Sequence, residues 1–136
     1  MTSQSAATVQ RVLRETRSVA IVGASANPAR ASHEVWTYLK AATDYTLYLV
    51  NPTITEVDGT PVYPSLAALP EVPDLVDVFR RREELPNVLA DTIAVGAKTL
   101  WLQLGLRDDQ VARDGAAAGL TVIQDLCLKV EYARFA

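Results

Sequence analysis

Five short apolar runs recur along this chain, four of them followed by a stretch with helical spacing, and that alternation limits the folds open to it more than any other feature. Ser18–Val22 (SVAIV), Tyr45–Val50 (YTLYLV), Leu75–Phe79 (LVDVF), Thr99–Leu102 and Thr121–Gln124 read as strands. Most lack the polar alternation of a sheet with one wet face, so they are expected in a parallel sheet covered on both sides. Between them, Ser32–Ala42, Glu83–Val95 and Asp108–Ala118 have helical periodicity. Ser32 is placed to cap the first of these, and Gly96 and Gly119 mark helix ends. Repeated β-α alternation with right-handed crossovers predicts an α/β, Rossmann-like, doubly wound five-stranded parallel sheet in three αβα layers.

The flanks fit the same plan. Val9, Val12, Leu13 and Thr16 lie on one face of a predicted amphipathic helix within residues 1–17, which packs on the sheet, and Leu128–Phe135 reads as a short final helix. Residues 1–17 are rich in Ser, Thr and Arg like a transit peptide. They carry Glu15 and run straight into the first strand, so they are read as part of the fold. Thr53–Pro73 reads as turn-rich, with Asp58-Gly59, Pro61, Pro64 and Pro70 and at most a helical turn at Ser65–Ala68. The 136 residues are expected to form a single domain.

Charge and composition narrow the partners. A net charge of -3 offers no electrostatic footprint for nucleic acid or an anionic membrane surface. No apolar run approaches the roughly 20 residues that span a bilayer. With one cysteine, Cys127, no internal disulfide is possible, and a cytoplasmic location is expected. Small molecules and proteins remain as partners, a homodimer among them.

In open α/β sheets ligands bind beyond the carboxyl ends of the strands. Four segments qualify: Gly23–Arg30 (GASANPAR), Asn51-Pro52, Phe79–Arg82 (FRRR) and Gln103–Gly105 (QLG). The first, a glycine and small residues before a helix, is a candidate phosphate cradle, though only Gly23 of the G-x-G-x-x-G pattern is present. After strand two an NAD site wants an acidic residue for the ribose, and this chain has Asn51 there, while Asp44 precedes the strand. Classical NAD binding is therefore disfavoured.

VGAS-x-NP-x-R-x-SHEVWTYL, LVNPT, GTPVYPSL, VDVFR, KTLWLQLG and AGLTVIQDLCLKVEYAR, in this order from Ser18 to Arg134, resemble the small stand-alone CoA-binding proteins. Their fold is similar to the nucleotide-binding domain of the succinyl-CoA synthetase α subunit. The resemblance implies that Gly23, Ala24, Ser25, Asn27, Pro28 and Arg30 surround the phosphates of coenzyme A or an acyl-CoA. It implies that Asn51 and Pro52 flank the adenosine end, and that Phe79, Arg80, Gln103, Leu104 and Gly105 line the rest of the cleft. The family commonly reads D-R-C and E-H where this chain has Asp125-Leu126-Cys127 and Glu131-Tyr132.

The other chemistry-bearing residues have plainer readings. Arg80 is expected at a phosphate, Arg81 and Arg82 on a solvated face, and Trp101 in the core. His33, the only histidine, supplies neither a triad nor a metal site, and the synthetase's phosphorylated histidine belongs to a second domain. Cys127 lacks an evident base and reads as an inert thiol. Asp125 and Glu131 could act as acid and base only if the fold aimed both into one cleft. The expected function is binding of coenzyme A without catalysis, as carrier, sensor or subunit. The alternatives are an NAD(P)-dependent oxidoreductase, an acyl-CoA ligase component, or a protein-interaction domain with an empty cleft.

Overall fold

The computed structural model describes residues 4–135; Met1–Ser3 of the expected N-terminal segment and Ala136 lie outside the described residues. Helix α1 (Ala6–Glu15) leads into β1 (Ser18–Val22), α2 (Ala31–Ala42) and β2 (Thr46–Val50). A small hairpin of β3 (Glu56–Val57) and β4 (Thr60–Tyr63) precedes β5 (Leu75–Val78) and α3 (Leu85–Val95). Then follow β6 (Thr99–Leu102), α4 (Asp109–Ala117), β7 (Thr121–Ile123) and α5 (Leu128–Phe135). The sheet order is β3-β4-β2-β1-β5-β6-β7, parallel throughout except for the β3–β4 pair.

The fold is thus Rossmann-like, but the sheet has seven strands where the sequence predicts five. Both added strands come from the stretch read as turns. Asp58 and Gly59, at φ +48° and +82°, form the two-residue turn of a hairpin, which demands positive φ at both positions and so selects Asp-Gly. The hairpin adds to the edge of β2 through Leu49–Val62 and Val50–Tyr63. Pro61 is tolerated because its only ladder partner is the two-residue β3.

Alternate residues of the strands feed two separate cores. Val19, Ile21, Leu49, Leu75, Trp101 and Ile123 pack under α1, α2 and α5, while Ala20, Val50, Val76, Val78, Leu100 and Leu102 pack under α3 and α4. Burial on both faces is why these strands are written as uninterrupted apolar runs. Trp101 is fully buried and its Nε1 donates to the Leu126 carbonyl at 2.8 Å, which meets the partner requirement of a buried indole.

Helix ends follow local chemistry at most positions. Ser5 accepts from the Thr8 N–H, Asp108 accepts from the Gln110 and Val111 N–H groups, and α3 stops at Gly96 with φ +83°. Helix α2 departs from its expected start. It starts one residue before the expected cap, with Arg30 at the N-cap and no side-chain cap, and Ser32 is turned inward and buried.

One buried group is out of place energetically. Asp77 pairs in register with Ile21 and Trp101 in the middle of the sheet, is fully buried, and neither carboxyl oxygen has a hydrogen-bond partner among the described residues. Burial alone pushes its carboxyl well above the usual carboxylate range. Well below pH 4 the group is protonated in folded and unfolded chains alike. As pH rises the unfolded chain ionises first, so stability falls by about 1.4 kcal/mol per pH unit until the folded-state carboxyl itself titrates. Asp77→Asn, which does not titrate, is expected to match wild type near pH 4 and to exceed it increasingly toward pH 8 in denaturant melts. A difference constant with pH would show that folding leaves this carboxyl's ionisation unchanged.

Candidate functional site

From β1 the chain goes through α2 to β2 on one side, and β5 then returns to the other side of β1. The loops after β1 and β5 diverge at this switch point and leave a crevice beyond the strand ends. A cleft of about 950 Å³ lies there, within the roughly 300–1,000 Å³ typical of small-molecule sites.

The loop after β1 is held by backbone bonds before any ligand is considered. Gly23 and Ala24 both donate their N–H to the Val50 carbonyl, at 3.0 and 3.2 Å, and Phe79 N–H donates to the Val22 carbonyl at 2.8 Å. Asn27 shapes the rest: its Oδ1 accepts from Ala29 N–H and its carbonyl from Arg30 N–H, while Ser25 Oγ accepts from Asn27 N–H. Among the described residues, the N–H groups of this loop left without a partner are those of Ser25, Ala26, Ala31 and Ser32, and all four residues line the cleft. Unpaired N–H groups at a helix start, with the favourable end of the helix dipole, are suited to an anion. Arg30 stands beside them, and its guanidinium makes no ion pair among the described residues.

Asn51, at the end of β2, is fully engaged. Its Nδ2 donates to the Ala24 carbonyl at 2.8 Å and its Oδ1 accepts from both N–H and Oγ1 of Thr53, each at 2.8 Å. It ties the β2 loop to the β1 loop and leaves one amide N–H, but no free acceptor, for a ribose. On the far wall, Gln103 Oε1 accepts from Leu128 N–H at 3.2 Å, which fixes the start of α5 to the end of β6.

Of the residues singled out from sequence, Gly23, Ala24, Ser25, Arg30, Asn51, Phe79, Arg80, Gln103 and Leu104 line the cleft. Asn27, Pro28 and Gly105 do not; the first builds the loop, and Gly105 N–H is taken by Asp125 Oδ1 at 2.7 Å. Pro52 lines a smaller pocket of about 160 Å³ on the other face of β1, which shares Arg80 and Glu84 with the main cleft. Arg81 is largely exposed, as the sequence reading has it, and also lines the cleft, as does its partner Glu84. The Arg80 guanidinium, assisted by Arg81, holds the Glu84 carboxyl below its usual range.

Ser32, Thr53, Ile54 and Cys127 also line the cleft and were not identified from sequence as site residues. Ser32, read from sequence as the helix cap, is buried in the first turn of α2 on the cleft wall. Cys127 is half-buried on the wall; nothing in the sequence reports that the chain after β7 folds back to it. His33 is absent from the lining. Its Nε2 lies 2.8 Å from Asp58 Oδ2 at the hairpin turn and its ring packs edge-on against Trp36, a structural role. Among the described residues no cluster of His, Cys, Asp and Glu has the arrangement of a metal site, and no helix is long and apolar enough to cross a membrane.

An open crevice with anion-suited donors on a Rossmann-like sheet defines a nucleotide-cofactor type of domain. The CoA binding domain family matches residues 17–133, and the chain belongs to that family. Over 133 residues it is 37% identical to the uncharacterized protein YneT of Bacillus subtilis (strain 168), spanning 98% of both chains. The solved structure of cell-free ID.343 from Thermus thermophilus is 31% identical, with a TM-score of 0.90 over 98% of this chain and 100% of that one. In fold alone, the chain is similar to part of the dinucleotide forming acetyl-coenzyme A synthetase 1 of Ca. Korarchaeum cryptofilum, at 20% identity and a TM-score of 0.73 over 83% of this chain and 27% of that one.

The tightest point of the site is Gly23, at φ +96°. A Cβ built there would stand 2.6 Å from the Phe79 carbonyl oxygen. Gly23→Ala is expected to lower stability by about 2 kcal/mol or more, because left-handed backbone strain of roughly 1–2 kcal/mol adds to a backbone clash that no side-chain rotation relieves. Thermal melts of the variant measure it, and an unchanged Tm would refute the close approach.

Proposed function

We propose that this protein binds coenzyme A or an acyl-CoA in the crevice between the β1 and β5 loops and performs no chemistry on it, acting as a carrier, a sensor or a subunit of a larger assembly. The observation that carries the reading is the set of N–H groups at Ser25, Ala26, Ala31 and Ser32, unpartnered among the described residues, on a cleft that also holds Arg30. A diphosphate needs such donors, and charge-assisted bonds from arginine strengthen its binding. The donor set fits the diphosphate of CoA, with Gly23 and Ala24 acting as scaffold and Ser25, Ala26 and the start of α2 doing the binding. Asn51 and Pro52 would stand toward the adenosine, and Gln103, Leu104 and Cys127 toward the pantetheine arm. Membership of the CoA binding domain family supports the same ligand.

A nicotinamide-dependent oxidoreductase is disfavoured because the residue after β2 is Asn51, not an acid, and its one acceptor oxygen is already taken by Thr53. A cytoplasmic location accords with a free cysteine and with this ligand class. CoA at about 100 times its dissociation constant should stabilise the protein by roughly 2.7 kcal/mol. The expected result is a clear rise in Tm with CoA and none with NAD at the same concentration; a larger shift with NAD would overturn the reading.

A further inference from the structure

Arg80 and Arg81, which follow β5, converge on a single carboxylate. The Arg80 guanidinium donates to Glu84 Oε1, and Arg81 Nε lies 3.5 Å from Glu84 Oε2. Two guanidinium groups on one carboxylate present the donor arrangement with which arginines take up a phosphate. The cluster lies on the β5 side of the crevice, across from the free N–H groups of the β1 loop and α2. Arg80 and Glu84 also line the smaller pocket that holds Pro52. At about 160 Å³ that pocket is too small for a whole ligand.

Resting on the CoA reading above, we propose that Arg80 and Arg81 form a second anion subsite, for the phosphomonoester on the ligand's ribose, and that Glu84 occupies it in the free protein. Binding then exchanges a carboxylate of charge -1 for a phosphomonoester of about -1.5 to -2 at neutral pH, which the two cations favour. The displaced Glu84 is not stranded. It is the N-cap residue of α3 and remains at the end of that helix where negative charge is stabilised. A ligand carrying a diphosphate and a separate monophosphate is held at two points, and one lacking the monophosphate leaves Glu84 where it is. Glu84 is thus a specificity-setting residue that acts by competition.

The test is calorimetric titration of CoA and dephospho-CoA into wild type, Glu84→Gln and Arg81→Ala. Arg81 is largely exposed, so its variant tests the subsite without disturbing the core. Wild type should bind CoA more tightly than dephospho-CoA. Glu84→Gln should raise CoA affinity several-fold, up to about tenfold, and change dephospho-CoA by less than about twofold, since only the monophosphate competes with Glu84. Arg81→Ala should weaken CoA selectively. Parallel changes for both ligands, or weaker CoA binding in Glu84→Gln, would overturn the subsite while leaving CoA binding intact. Failure of wild type to bind either ligand would overturn the CoA reading and the subsite with it.

Discussion

The site depends on one backbone approach, that of Gly23 to the carbonyl of Phe79. Adjacent parallel strands run side by side along their length, but here the two chains stay in contact one residue beyond the sheet and then turn to opposite sides. A side chain at position 23 would force the β1 and β5 loops apart. The crevice would then open at its base, and the donors of the β1 loop would no longer face the arginines that follow β5. Val50 fixes the third side, since its carbonyl takes the N–H groups of both Gly23 and Ala24. Three strand ends are locked before a ligand arrives, so little ordering is left for binding to impose.

How much of this was legible in the sequence varies with the range of the interaction that decides it. β1, β6 and α5 have the predicted bounds, and β2, β5 and β7 differ by one residue at an end, because an apolar run closed by glycine, asparagine or a turn is a local signal. The β3–β4 hairpin was not legible as strands. Its longer member is the four residues Thr60–Tyr63 with a proline among them, and it exists because the exposed edge of β2 accepts it. The Asp58-Gly59 dipeptide was the available clue, a hairpin turn rather than a generic one.

The location of the site was readable from topology, but its donors were not. A glycine-led loop suggests that the glycine's own N–H meets the ligand. Whether Gly23 N–H is free depends on where Val50 sits, and it is not free. Asn27 and Gly105 stand outside the lining, each held by bonds inside the loops. Conversely, Arg81 and Glu84 enter the site through the 3-10 turn at Arg82–Glu84, which brings the carboxylate back toward the arginines preceding it.

The hairpin that the sequence hid also determines how the sheet ends. Without it β2 would present an unpaired parallel edge, a ready template for a strand from another molecule. β4 covers that edge, and β3 in turn offers only two residues, too few for a further strand to gain a stable ladder. His33 clasps the turn at Asp58 against α2. The sheet is therefore closed to open-ended growth on this side by a device of about eight residues, which protects a crowded cell's worth of identical chains from zipping together edge to edge.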